Sequence, residues 1–210
     1  YAPPASLKTY QAEVQLGRDR IARDFGNFIH VFMPLSKLLR YVTAIPKGDF
    51  LRLTFVGRKD LTQEDLPEFR EVMRSQDIPL EKTPQCTCFP RIVTAAARKP
   101  FTDRMVLIGD ASCTRYYKNG IESAFVTAEL AARAAVYHGI DAGAFSAHYV
   151  RPARKIIVRD NRYGRLLFSL NDMLTSLPAL QSAQIELAGS GGRSGPARRL
   201  RSILWNMFTG

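Results

Sequence analysis

The stretch Asp103-Arg104-Met105-Val106-Leu107-Ile108-Gly109-Asp110-Ala111-Ser112 is followed, after a short polar loop, by Lys118-Asn119-Gly120-Ile121-Glu122-Ser123-Ala124. Residues 104–108 predict a compact, buried apolar strand that runs into Gly109-Asp110. From Gly120 to about Tyr137 the chain reads as a helix, with alanine at 124, 128, 131, 132 and 135. His138-Gly139 ends it, glycine being an ordinary residue just past a helix C-terminus. A strand ending in Gly-Asp, a polar loop and a helix opened by glycine make a recognisable chemical pattern. Gly109 lets a ligand approach the backbone closely. Asp110, at the end of the strand, can accept hydrogen bonds from sugar hydroxyls. The start of the helix turns its positive dipole end towards an anion or a polarised carbonyl. A plain strand-loop-helix with an acidic cap uses the same residues, and only the length and order of the whole pattern separate the two readings.

Before this stretch the chain reads mainly as strands. Tyr10-Gln11-Ala12-Glu13-Val14-Gln15-Leu16 alternates loosely and stops at Gly17. Residues 28–33 are short and β-rich and end at Pro34. Residues 39–45 and 50–56 are two further β-rich runs joined by Pro46-Lys47-Gly48-Asp49, and the second alternates apolar residues at 51, 53 and 55. That arrangement predicts a hairpin within an antiparallel sheet. Thr62-Gln63-Glu64-Asp65 carries the cap and acidic first turn of a helix running to about Met73. Residues 86–93 are extended again. Beyond Gly139, a helix begins near Asp141, residues 153–180 read as helical, 189–195 as a Gly-rich linker, and 196–208 as a basic amphipathic helix. The fold class is therefore α+β. Its parts are a β-rich region over 1–98, a strand-loop-helix segment over 99–150, a helical region over 151–188, and the linker and last helix over 189–210.

Residues 103–139 resemble the second flavin-binding motif of the superfamily of FAD-dependent monooxygenases and geranylgeranyl reductases, which includes the aromatic-ring hydroxylases. The resemblance implies FAD as cofactor. It implies that Asp110, beside Gly109, holds the ribitol or pyrophosphate region, and that the backbone of Asn119, Gly120 and Ile121 faces the flavin N1/O2 edge. It makes the antiparallel region a substrate-binding sheet for an apolar or isoprenoid-like compound. A reduced pyridine nucleotide would be the electron donor. Reduction of a carbon–carbon double bond and hydroxylation both fit, because neither requires a catalytic side chain that the sequence identifies. Two departures stand out. Glu122 replaces the second glycine of the family's Gly-x-Gly, and no Gly-x-Gly-x-x-Gly follows a strand anywhere in the chain. With Tyr1 rather than Met at the start, the expectation is the C-terminal half of a longer flavoprotein that holds FAD weakly or not at all by itself.

Composition bounds the alternatives. The 210 residues are 46% apolar with 10% aromatic, which excludes a disordered chain. Three cysteines imply no disulfide framework. Cys86-x-Cys88 with Cys113 and the three histidines lack zinc spacing, so no metal is expected. There is no signal peptide and no apolar run long enough to span a bilayer, which points to a cytoplasmic protein. The net charge is +11, of which +7 falls beyond residue 150. This surplus defines the competing class, a non-enzymatic basic module for anionic membrane or nucleic acid. Nucleic acid is disfavoured because no basic-aromatic surface pattern accompanies the charge. Leu200, Ile203, Leu204, Met207 and Phe208 share one helical face flanked by Arg198, Arg199 and Arg201. That helix either docks on its own protein or a partner, or lies on anionic lipid.

Overall fold

A computed structural model describes residues 1–34, 36–80, 86–117, 120–189 and 195–209. The chain divides into two compact units. One comprises residues 7–92, the other residues 1–6 with 93–210. The architecture is α+β, as expected.

The first unit is built on a five-stranded antiparallel sheet. Its strands in chain order are β1 (Tyr10–Gln15), β2 (His30–Phe32), β3 (Leu39–Lys47), β4 (Phe50–Gly57) and β5 (Cys86–Cys88). Their spatial order is β2-β3-β4-β1-β5. The β3–β4 hairpin turns at Gly48, whose φ of 63° explains the glycine there. Alternation decides the faces. Leu51, Leu53 and Phe55 are fully buried together with Ala12 and Val14 of β1, the strand beside them. Helix α1 (Arg18–Asp24) lies between β1 and β2, and α2 (Leu66–Arg74) places Phe69 and Met73 in the same core. The Tyr10, Phe55 and Phe69 rings pack with centroids 4.7 to 5.5 Å apart. Each such fully buried side chain contributes about 1.5–3 kcal/mol. On the opposite face, Glu13 pairs with Arg52 at 2.7 Å and with Lys47 at 2.9 Å.

Two expectations need correction in this unit. The run at 28–33 yields only the three residues of β2, because Phe28 and Ile29 stay exposed. Helix α1 was not anticipated, because Arg18–Asp24 offers a single buried apolar residue, Ile21, and so no periodicity.

The second unit is mostly helical. Two-residue strands, β6 (Phe101–Thr102) and β7 (Met105–Val106), pair antiparallel and lead to a 3₁₀ turn at Gly109–Ala111. Helix α3 (Gly120–Tyr137) follows and ends at Gly139, whose N–H donates to the Ala134 carbonyl at φ 110°. A continuous helical run then extends from Ala142 to Thr175, with Asp141 capping its first turn. Two stretches of it, Ser146–Val150 and Arg154–Val158, are π-helical; its last part is α4 (Arg159–Thr175). Helices α5 (Pro178–Gly189) and α6 (Pro196–Thr209) complete the unit, α6 packing against α4 and α5. The linker reading falls largely on residues 190–194, outside the described residues. Among the described residues, no helix is long and apolar enough to cross a membrane.

The apolar strand expected over 104–108 is overturned. Only Met105 and Val106 are paired, and Met105 and Ile108 are substantially exposed. The cause is local, since the neighbouring strand offers two residues, and two cannot extend a ladder to Ile108.

Candidate functional site

The turn at Gly109–Ala111 and the start of α3 form one structure. Gly109 is buried and adopts φ 58°, a left-handed conformation that favours glycine. A Cβ there would meet the Ala124 Cβ at 3.3 Å, so the turn also needs the close approach to α3. The Gly109 N–H donates to Thr127 Oγ1 at 2.8 Å, and the Thr127 hydroxyl donates to the Ser123 carbonyl at 2.7 Å. Thr127 is fully buried. The turn is thereby clamped to the first two turns of the helix.

This clamp sets Asp110 over the helix start. A Cβ on Gly120 would sit 3.1 Å from Asp110 Oδ1. The Asp110 side chain is exposed and accepts no hydrogen bond from the described residues. Ile121, the next residue of α3, is 79% exposed, so this end of the helix is open to solvent. Gly109, Asp110, Gly120 and Ile121 are thus brought together. Asn119 lies outside the described residues.

The loop between Asp110 and the helix is held from the long helical run. Tyr149 is fully buried, and its hydroxyl lies 2.6 Å from the Leu107 carbonyl and 2.7 Å from Ser112 Oγ. Burial pushes its phenol up to about 12. Further along, Asn161 receives the Tyr116 N–H at 2.6 Å on Oδ1 and donates through Nδ2 to the Thr114 carbonyl at 2.9 Å. Tyr116 and Tyr117 pack against each other, and both contact the Phe168 ring. Arg165 lies over the Tyr116 face. Tyr149 and Asn161 therefore fix the two ends of the loop. Neither was singled out from the sequence, where both sit in an unremarkable helical stretch.

Glu122, the departure from the family pattern, is paired with Arg115 at 3.3 Å, and the same guanidinium also bonds Asp160. The Arg115 N–H donates to Ser123 Oγ. The extra carboxylate is thus engaged sideways by a cation. Cys113, buried beside this loop, has its thiol pushed up by burial. Cys88 is exposed. Among the described residues no group of three or more His, Cys, Asp and Glu could hold a metal.

No protein-family model and no curated protein matches the chain. Solved structures do. The p-nitrophenol 4-monooxygenase PnpA from Pseudomonas putida DLL-E4 aligns over 96% of this chain at TM-score 0.57 and 16% identity. The flavin-dependent monooxygenase PieE, solved with FAD and substrate, aligns over 99% at 0.55 and 16%. The flavin-dependent halogenase CmlS aligns over 97% at 0.54 and 17%. The fold is that of part of a flavin-dependent monooxygenase. The chain spans 52%, 39% and 38% of those three proteins respectively, about half or less of each. At this identity the likeness concerns fold.

Proposed function

We propose that the chain is the flavin-closing and substrate-sheet part of an FAD-dependent oxidoreductase, of the monooxygenase type among its structural neighbours, acting on an apolar substrate. The observation that carries this reading is the exposed, unbonded Asp110 carboxylate. It is held against Gly120 at the positive end of α3, where a larger residue would leave it no room. These residues fit the ribityl side of a flavin. Asp110 accepts from hydroxyls, and Gly109 and Gly120 permit close backbone approach. The start of α3 at Gly120 and Ile121 favours negative charge on a ligand edge placed there. Arg115 neutralises Glu122 and keeps a bare carboxylate from opposing that charge. Tyr149 and Asn161 hold the loop in position. Bound FAD would supply the electron-transfer chemistry, and the chain supplies position and electrostatics. A reduced pyridine nucleotide is the electron donor in this reading.

Replacing Asp110 removes a charged hydrogen-bond acceptor, an interaction of about 1.5–3 kcal/mol. In the full-length gene product, Asp110→Ala therefore lowers FAD affinity by roughly tenfold or more. Visible absorbance and flavin fluorescence after dialysis measure it. Full FAD retention by Asp110→Ala would reject the assignment.

A further inference from the structure

The second unit carries a concave surface of about 540 Å³ that has no role in the reading above. It lies between the segment at residues 96–98 and the π-helical part of the long helical run. Five cations line it: Arg98, Arg154, Lys155, Arg159 and Arg162. No acidic side chain lines it, and none of the five makes an ion pair with a carboxylate among the described residues. All five are exposed at the rim, over a floor of small and apolar side chains that includes Val158. This differs from the rest of the molecule, where Arg20, Arg23, Arg52, Arg115 and Arg133 all find carboxylates.

Five like charges gathered around one hollow repel one another, and an anion with several charges relieves that repulsion. Arginine is suited to the task, because its planar fork of donors matches phosphate oxygens in pairs. The helix supplies a second, independent feature. It widens to i→i+5 hydrogen bonding over Arg154–Val158, and such π stretches gather at functional sites. A hollow of this size falls within the usual range for a small-molecule ligand.

We propose that this groove binds a ligand carrying two or more phosphate groups. A free dinucleotide and a phospholipid headgroup share that chemistry. The inference does not depend on flavin binding, so it can fail while the oxidoreductase reading stands, and the reverse.

The test uses calorimetric titration of the 210-residue chain with pyrophosphate, NADH and NADPH. A flotation arm uses vesicles of phosphatidylcholine with phosphatidylinositol phosphates. The variant Arg154→Gln/Arg159→Gln/Arg162→Gln is compared with Arg104→Gln/Arg133→Gln/Arg199→Gln, which removes the same charge outside the groove. The expected result is saturable binding that weakens with salt. NADPH should bind more tightly than NADH, because its additional phosphate meets further cations. The groove variant should lose roughly tenfold in affinity, with the control within about twofold of wild type. Binding of vesicles alone, lost in the groove variant only, supports the proposal and identifies a headgroup as the source. Single Arg159→Gln and Arg162→Gln variants, each expected to weaken binding severalfold, serve if the triple variant unfolds by circular dichroism. The proposal is overturned by the absence of saturable binding to every phosphate probe. It is equally overturned if both triple variants lose the same affinity, or if duplex DNA binds with no difference between them.

Discussion

Asp110 owes its place to Gly109 and Thr127. The left-handed turn, the missing Cβ and the buried hydroxyl are three separate requirements met at one point. Thr127→Val keeps the shape and removes the acceptor, leaving the buried Gly109 N–H unbonded. It should cost about 1–3 kcal/mol in denaturant unfolding, while Thr127→Ser, which retains the hydroxyl, should cost less. Tyr149 makes a pH prediction. Its phenol is raised from an ordinary 10 to about 12 by burial, so the folded state holds the proton more tightly than the unfolded state. Its contribution is complete below pH 10 and declines as pH rises from there towards 12. Unfolding free energy should fall over that window by up to about 1.4 kcal/mol per pH unit more in wild type than in Tyr149→Phe. Parallel curves for the two proteins would refute the assignment. Gly109, Asp110 and Gly120 were legible in the sequence because their types and spacing carry the meaning. Tyr149 and Asn161 were not, since each acts through hydrogen bonds spanning 37 to 47 residues of chain.

Among the elements, alternation and periodicity succeeded where burial followed them. The β3–β4 hairpin, α2 and α3 fall where the pattern placed them, because one face of each enters a core. Where an apolar run lacks neighbours, as at residues 104–108, composition alone overstated the strand. Helix α4 shows the opposite failure of pattern. Its inner face carries Asn161, Gly164, Phe168, Asn171 and Thr175, while Tyr163, Leu166, Leu170 and Met173 point outward. The polar inner face has a purpose at Asn161, which joins the helix to the loop at 114–117. Asn161→Ala leaves two backbone groups without their partner and should cost about 2–4 kcal/mol, measured by urea unfolding. Hydrogen exchange should rise at Tyr116 first, because its N–H loses its acceptor.

Across the whole molecule, charge and apolar surface are unevenly spread. The +7 beyond residue 150 sits on the same helices as the outward Leu166, Leu170, Met173, Leu177 and Leu180. An exposed apolar stripe of this kind binds hydrophobic dyes and lowers solubility. Leu166→Ser/Leu170→Ser should reduce dye fluorescence and raise solubility, with unfolding free energy changed by no more than about 0.5 kcal/mol per site. A large loss of stability would mean instead that these side chains are buried in the folded protein. Net charge alone pointed towards nucleic acid in general terms. Its meaning changes once the cations divide into those paired with carboxylates and those gathered unpaired around one groove.

The π-helical stretches give the long helical run a property that its sequence does not display. Each residue of an α-helix advances the rotation by about 100°. Tyr149 and Asn161 must both address the same loop, so their angular relation depends on the extra room that the π turn at Arg154–Val158 provides. Loss of a single residue there would let the stretch tighten to regular α-helix and turn everything downstream by about 100°. Asn161 would swing away from Thr114 and Tyr116, and the arginines would leave their hollow together. This helix therefore tolerates substitution far better than deletion, and its reading frame in space is as constrained as its composition is free.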